Sequence, residues 1–365
     1  MNNKSAILIL YAEIMPYNVI TFQALLKRYK DYILHVVSWG EDKKLTKYQA
    51  PAYERIHYYT ESAYDYKSLM RLYMSLKPAL VLVSGRMEKS YLKVARQARR
   101  DGVIVVGTAD NQYFGTIKQR LAILLAKLLY RRYFEYMLVP GLYQYEYQRR
   151  LGYERDKILF PQYCADVDLF TPSKKTVGEE ANRRGILFLG RLHPIKGIEL
   201  LIKVHRKLYE EKTISDKLII IGGGPLRDKL VLNHVDHLVY HPFMEQSAII
   251  KIMAGVKYFC LPSRAEPWGV VIHEAACAGL PIITTKGCGA ASTFVKHGYN
   301  GYLFSADDEE ALAFYLTKMS QKNPAQIAEM ARRSLSLSRQ IQPDMWADTL
   351  ASLIEDDYRT PLVSS

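Results

Sequence analysis

A chain of 365 residues with 49% hydrophobic and 24% charged side chains is too long for one small core and ordinary in composition, which excludes a disordered protein and points to two soluble domains. Its formal net charge of +13 and 28 tyrosines call for an anionic partner: a phosphate-bearing ligand or an anionic membrane surface, and not nucleic acid, since no zinc-finger, RRM or KH signature is present. Cys164, Cys260, Cys277 and Cys288 lack metal-ligand spacing and no apolar run is long enough to span a bilayer, so a reduced, cytoplasmic protein is expected, with peripheral placement on the inner face of the membrane as its only membrane contact.

In chain order, short β-rich runs alternate with longer helical patterns, the pattern of parallel α/β architecture. The first half places strands at 7–10, 33–37, 80–83, 103–106 and 137–140; the run 6–12, ended by Glu13, reads as a first strand and not as a signal peptide. A helix is expected over 117–133. On its wheel Arg120, Lys127 and Arg131 form one stripe beside an apolar face of Ile117, Leu121, Leu125, Leu128 and Leu129, which suits either an anionic membrane surface or the cover of a parallel sheet. The polar stretch 164–184 reads as a linker, and Asp166-Val167-Asp168 within it as a loop. The second half repeats the plan with strands at 186–189, 218–221, 238–240, 258–261 and 282–284, and a last helix over 345–357 is expected to fold back.

The chemistry concentrates in LPSRAEPWGVVIHEAACAGLPIITT, where Glu266 lies in the loop after a strand and Glu274 inside the following helix. Open α/β sheets bind ligands at the carboxyl ends of their strands, and two carboxylates there accept hydrogen bonds from the hydroxyls of one polar ligand. The bare pair is weak evidence, but small residues flank Glu274 where a helix packs closely on a sheet, and a carboxylate in that place needs a partner.

Three further strand ends carry ligand chemistry. GRLHPIKG turns at Gly190 and presents Arg191 and Lys196 before a helix, as a diphosphate site requires; the alternative is a solvated basic turn. In IIIGGGPLRDKL, Gly223 and Gly224 suit close backbone approach to a ligand or a plain tight turn, and Pro225 can start a helix. In TTKGCGAAS, Gly287 and Gly289 are placed to offer backbone N–H groups to an anion.

From Gly185 to Phe304 these motifs, with HGYNGYLF at the end, resemble the GT-B retaining glycosyltransferases of family 4, the glycosyl transferases group 1. The weaker match LGYERDKILFPQYCADVDLFTP resembles the family's approach to its second domain. The resemblance implies two Rossmann-like, doubly wound domains facing across a cleft: an acceptor domain over 1–165, with helix 343–365 packed back on it, and a donor domain over 166–342. It implies that Arg191 and Lys196 hold the donor diphosphate, that Glu274 binds the ribose and that Glu266 faces the donor sugar. The backbone of Trp268, Gly269 and Val270 would touch sugar and phosphate, with Gly190, Gly223 and Gly224 lining the donor. Asp110 stands near the place of a polar catalytic residue in relatives; its alternative is a helix N-cap. Retention of configuration without a protein nucleophile, no bound metal and no cofactor are implied, with a UDP-sugar favoured slightly over a GDP-sugar.

The chain departs from the family in two places. Residues 12–17 lack the glycine-rich loop after the first strand, and the loop 287–292 lacks the Glu that follows the glycines in many relatives. The expected function is sugar transfer from a nucleotide diphosphate to a glycan or lipid-linked hydroxyl in bacterial surface polysaccharide synthesis. The rivals are a nucleotide-sugar epimerase of the same architecture and a non-catalytic binding protein.

Overall fold

The computed structural model describes residues 6–40, 43, 48–60, 66–86, 88–126, 130–171, 183–230 and 235–355. The chain divides into two compact units, Met1–Cys164 with Gln342–Ser365 and Ala165–Ile341.

The first unit runs β1 (Ala6–Leu10), α1 (Pro16–Arg28), β2 (Ile33–Ser38), β3 (Ile56–Thr60), α2 (Tyr66–Leu76), β4 (Leu80–Val83), α3 (Lys89–Arg100), β5 (Ile104–Thr108), α4 (Ile117–Leu124), β6 (Tyr136–Leu138), α5 (Leu142–Arg150) and β7 (Ile158–Leu159). Its strands are parallel, in the order β3-β2-β1-β4-β5-β6-β7. β1 lies inside the sheet with helices on both faces, which is why its sequence is a continuous apolar run and every residue of it is buried. The two-residue period splits that run. Ile7 and Ile9 pack with Phe22 and Leu25 of α1, whereas Leu8 and Leu10 pack with Leu69 of α2 and Tyr91 and Val94 of α3.

The second unit runs α6 (Val167–Phe170), β8 (Ile186–Leu189), α7 (Ile198–Glu210), β9 (Leu218–Ile221), β10 (Leu238–His241), α8 (Gln246–Gly255), β11 (Tyr258–Leu261), α9 (Val270–Cys277), β12 (Ile282–Thr285), α10 (Ala291–Phe294), β13 (Gly301–Phe304), α11 (Glu309–Ser320) and α12 (Pro324–Ser338). Its parallel sheet has the order β10-β9-β8-β11-β12-β13. The chain leaves β8 on one side through β9 and β10, then crosses to β11 on the other. Strand order therefore reverses between β8 and β11, and the crevice at the carboxyl ends of such a pair is where doubly wound sheets take their ligands. The segments that follow these two strands are GRLHPIKG and PSRAEPWG.

After α12 the chain ends, among the described residues, in α13 (Pro343–Ile354), which belongs to the first unit. Trp346 of α13 is 1% exposed and meets Phe22 of α1 at 5.7 Å between ring centroids, while Arg28 Nε reaches Asp348 Oδ1 at 2.5 Å.

The α/β architecture and all ten expected strands are present, each within two residues of its expected ends. β3, β7 and β13 were not expected: β3 carries exposed His57 and Thr60, β7 has two residues, and β13 opens on a glycine, so none shows an apolar run. The expected helix over 117–133 is a correction. α4 ends at Leu124, Arg131 lies in a later turn with Nη2 3.9 Å from Glu154, and Lys127, Leu128 and Leu129 fall outside the described residues. Of Asp166-Val167-Asp168, expected as a loop, Val167 and Asp168 are helical, and Asp166 caps their helix α6 by accepting from Leu169 N at 3.0 Å. Pro225 opens turns instead of a helix. No helix among the described residues is long and apolar enough to cross a membrane.

Candidate active site

The site is built from two loops that need each other's backbone. After β8, Pro194 and Lys196 bound a short 3-10 turn, capped by His193, whose Nδ1 accepts from Ile195 N at 3.2 Å. Gly197 ends the turn at φ +69° and begins α7. A Cβ on Gly197 would lie 2.1 Å from the Pro262 carbonyl oxygen, so only glycine lets this turn rest on the loop after β11. That contact brings Lys196 Nζ onto the Glu266 carboxylate. Glu266 is 7% exposed, and Ser263 Oγ lies 3.5 Å from its Oε2. Arg191, one residue beyond Gly190, is exposed; its carbonyl accepts from His193 N at 2.9 Å, and its guanidinium has no partner among the described residues.

Gly269 caps α9 at φ +90°, and a Cβ there would sit 2.8 Å from Glu266 Cγ. Ile272 N, third in the helix, donates to the Gly269 carbonyl at 2.9 Å, so the N–H groups of Val270 and Val271 and the positive end of the dipole form the anion-binding group that follows Glu266. Glu274 lies one turn further in. Ala275, Ala276 and Cys277 beside it are fully buried, as close helix-to-sheet packing demands. Its carboxyl group has no hydrogen-bond donor among the described residues, and burial pushes its pKa up to about 7. A half-buried carboxyl group without a donor is an acceptor open to a ligand's hydroxyls.

The neighbouring His273 has a different task. Its Nδ1 accepts from Ala165 N at 3.1 Å, its Nε2 bonds the Ser338 carbonyl at 2.8 Å, and its ring stacks on Phe294 at 4.0 Å. Burial holds it neutral, with a pKa near 4, so it ties α9 to both ends of the unit.

Two expected ligand loops spend backbone groups on supporting their neighbours. Gly222 N donates to His241 O at 3.1 Å, Leu192 N to Gly223 O at 2.8 Å, and Gly224 is pressed on the Leu192 carbonyl. Of the three glycines only Gly223 has open space at its Cβ position. In the loop 287–292, Gly289 N donates to Glu266 O at 3.0 Å and Ala290 N to Trp268 O at 2.9 Å. Gly289 therefore offers no N–H to an anion; it fixes the backbone that carries Glu266. Trp268 is 2% exposed with its ring against Phe294, so only its backbone is left for a ligand, and Val270 follows as the first residue of α9.

Arg191, Lys196, Glu266 and Glu274 thus gather in the second unit. Asp110 belongs to the first, in the coil after β5. It is not an N-cap, since Thr116 caps α4; its Oδ2 accepts from Tyr163 OH at 3.4 Å and its carbonyl from Gln144 Nε2 at 3.2 Å. Tyr17 meets Tyr163 edge-on at 5.1 Å, and burial raises the pKa of both Tyr11 and Tyr163 in this group. The sequence reading missed these three tyrosines; their only signal was position, each lying within seven residues after a strand. Among the described residues no group of three or more His, Cys, Asp or Glu is arranged to hold a metal ion.

Residues 170–334 match the model of the family Glycosyl transferases group 1. This stretch is a glycosyl transferases group 1 domain. The group 1 domain contains Arg191, Lys196, Glu266 and Glu274. An uncharacterized glycosyltransferase of Methanocaldococcus jannaschii is 30% identical over 146 residues, which is 39% of this chain and 37% of the relative. A D-inositol 3-phosphate glycosyltransferase of Corynebacterium glutamicum is 25% identical over 54% of this chain and 50% of its own. The alignments thus span half or less of these relatives. Among solved structures, Anabaena HepE in complex with UDP and glucose superposes with a TM-score of 0.70 at 18% identity, covering 96% of this chain and 99% of that one. Sucrose-phosphate synthase from Thermosynechococcus elongatus gives 0.75 at 15% identity over 97% and 99%. WaaG, a glycosyltransferase involved in lipopolysaccharide biosynthesis, gives 0.67 at 15% identity over 96% and 99%. These likenesses establish the GT-B fold around the group 1 domain.

Proposed function

We propose that the protein is a glycosyltransferase that moves a sugar, with retention of configuration, from a nucleotide diphosphate donor to a hydroxyl of a glycan or lipid-linked acceptor in bacterial surface polysaccharide synthesis. The observation that carries this reading is Glu274: a half-buried carboxyl group with no hydrogen-bond donor among the described residues, in a unit that also holds an exposed Arg191 and the N-terminus of α9. A nucleotide diphosphate supplies what each lacks, a ribose diol for Glu274 and phosphate oxygens for the cations. As the sugar–phosphate bond breaks, negative charge grows on the diphosphate, and fixed positive groups already in place lower that barrier. Arg191 provides a planar fork, Lys196 a point charge, and the first N–H groups of α9 complete the set. Glu266, held beside Lys196, takes the donor sugar hydroxyls, and Asp110 receives the acceptor proton. A uridine donor is favoured, in keeping with the UDP bound to Anabaena HepE. The test is thermal stabilisation by UDP-, GDP- and ADP-sugars with chelator present. One nucleotide class should raise the melting temperature of the wild type and not of Glu274→Ala; no response to any of the three would remove the support for this site.

The acceptor side of the reading includes an anionic lipid surface. None of the eight residues of α4 is buried, and Ile117 and Leu124 are 76% and 79% exposed. Lys118 and Arg120 share the helix, and residues 86 to 157 hold 15 Lys and Arg against 7 Asp and Glu. An exposed apolar stripe within a basic segment is the composition that inserts at a charged bilayer surface. The wild type is expected to sediment with vesicles containing phosphatidylglycerol and not with pure phosphatidylcholine, and the Ile117→Asp, Leu124→Asp variant to stay in solution. Equal sedimentation of the two proteins would take α4 out of the account.

A further inference from the structure

The turn that carries Lys196 is also held from outside by a side chain in none of the roles above. Arg264, two residues before Glu266, donates its backbone N–H to the Ile195 carbonyl at 2.8 Å and its Nη1 to the Pro194 carbonyl at 2.5 Å. Its Nε donates to Asp307 Oδ1 at 2.7 Å. Asp307 sits between β13 and α11 at φ +60°, a conformation that costs most L residues energy and that Asp tolerates better than most. The next residue anchors this second turn, since Asp308 Oδ1 accepts from Ala311 N at 2.9 Å. One guanidinium thus joins the ends of β8, β11 and β13.

We propose that Arg264, oriented by Asp307, is a positioning residue that sets the Lys196 turn for a diphosphate. The inference rests on the reading of Lys196 as a diphosphate ligand. Stability does not account for the arrangement: the Arg264 and Asp307 side chains are 39% and 55% exposed, and ion pairs in that setting contribute little. What the guanidinium adds is direction. Its planar fork holds a carboxylate and a carbonyl in one fixed geometry, which the rotatable donors of a lysine ammonium do not impose, and the carbonyl it holds belongs to the first residue of the three-residue turn that Lys196 ends. Charge stabilisation depends on the cation being in place before the ligand arrives, so a loosened turn weakens diphosphate binding while the fold stays intact.

The experiment measures the affinity of the full chain for UDP and GDP by calorimetry, together with unliganded melting temperatures. Arg264→Ala should weaken whichever nucleotide binds by about tenfold, the effect of losing hydrogen bonds to a charged group, with the melting temperature nearly unchanged. Asp307→Ala should give part of that loss, and Arg264→Lys should restore little. In a Lys196→Met, Glu266→Gln background, Arg264→Ala should have no further effect. Unchanged affinity in Arg264→Ala, or an equal loss in the background without Lys196, would overturn the inference while leaving the site reading intact. Failure of the wild type to bind either nucleotide would overturn both.

Discussion

Glu274→Gln is expected to abolish stabilisation by UDP-glucose while raising the melting temperature of the free protein at pH 8. The Glu274 carboxyl group is pushed up to about 7 by burial from an ordinary value of 4.5. Between those two values the native state keeps a proton that the unfolded chain has released, so this group's contribution to stability falls as pH rises from about 4.5 and reaches its full penalty above 7. Glutamine has the same shape and no charge, and removes that penalty, which is worth about 1–3 kcal/mol for a shift of this size. Melting curves of the two proteins should therefore diverge from pH 5 to pH 8, with the variant on top. UDP-glucose affinity of the wild type should move the other way, strengthening as pH rises through 7, because the ionised carboxylate is the better acceptor for ribose hydroxyls; this donor has no phosphate group titrating in that range. Parallel melting curves would show that Glu274 is not desolvated, and undiminished donor binding by the variant would show that it does not touch the ligand.

Lys196→Met is expected to be the most damaging single replacement in the site. It removes the ammonium from a carboxylate that is 7% exposed, and a buried charge stripped of its partner costs about 3–5 kcal/mol. Adding Glu266→Gln neutralises the stranded group, so the double variant should regain most of the lost melting temperature. It should regain no transfer, since both the diphosphate cation and the sugar-facing acid are gone. Denaturant midpoints of the wild type, the single and the double variant decide the first point, and release of nucleotide diphosphate from a donor sugar decides the second. A single variant as stable as the wild type would mean that the Lys196–Glu266 contact does not persist in solution.

The fold was readable because both sheets are parallel and covered on both faces, which turns each inner strand into an apolar run. It was unreadable where that condition lapses, as in β3 and β13 at sheet edges. The helix at 117–133 illustrates a different limit: periodicity reports which residues share a face if a helix forms, and says nothing of where the backbone turns away. In the site, spacing placed Glu266 after a strand and Glu274 in a helix, both as found. It did not reveal that Lys196 and Glu266 touch across a gap of 70 residues, nor that Gly289 and Ala290 spend their N–H groups on the backbone of that same loop. Those are tertiary facts, set by the Gly197–Pro262 contact. The tyrosines around Asp110 were hidden for the same reason, three separate loops meeting at one end of a sheet.

The helix α13 makes the second unit an insertion within the first. Trp346 and Leu350 share one buried core with Ile7 and Ile9 of β1 and Phe22 and Leu25 of α1, so the first unit cannot complete that core until α13 has been made, after the whole of the second unit. The second unit, continuous from Ala165 to Ile341, has no such wait. During vectorial synthesis the second unit can close on its own sequence while the core between β1 and α1 still lacks Trp346 and Leu350, so the half begun first is the half completed last.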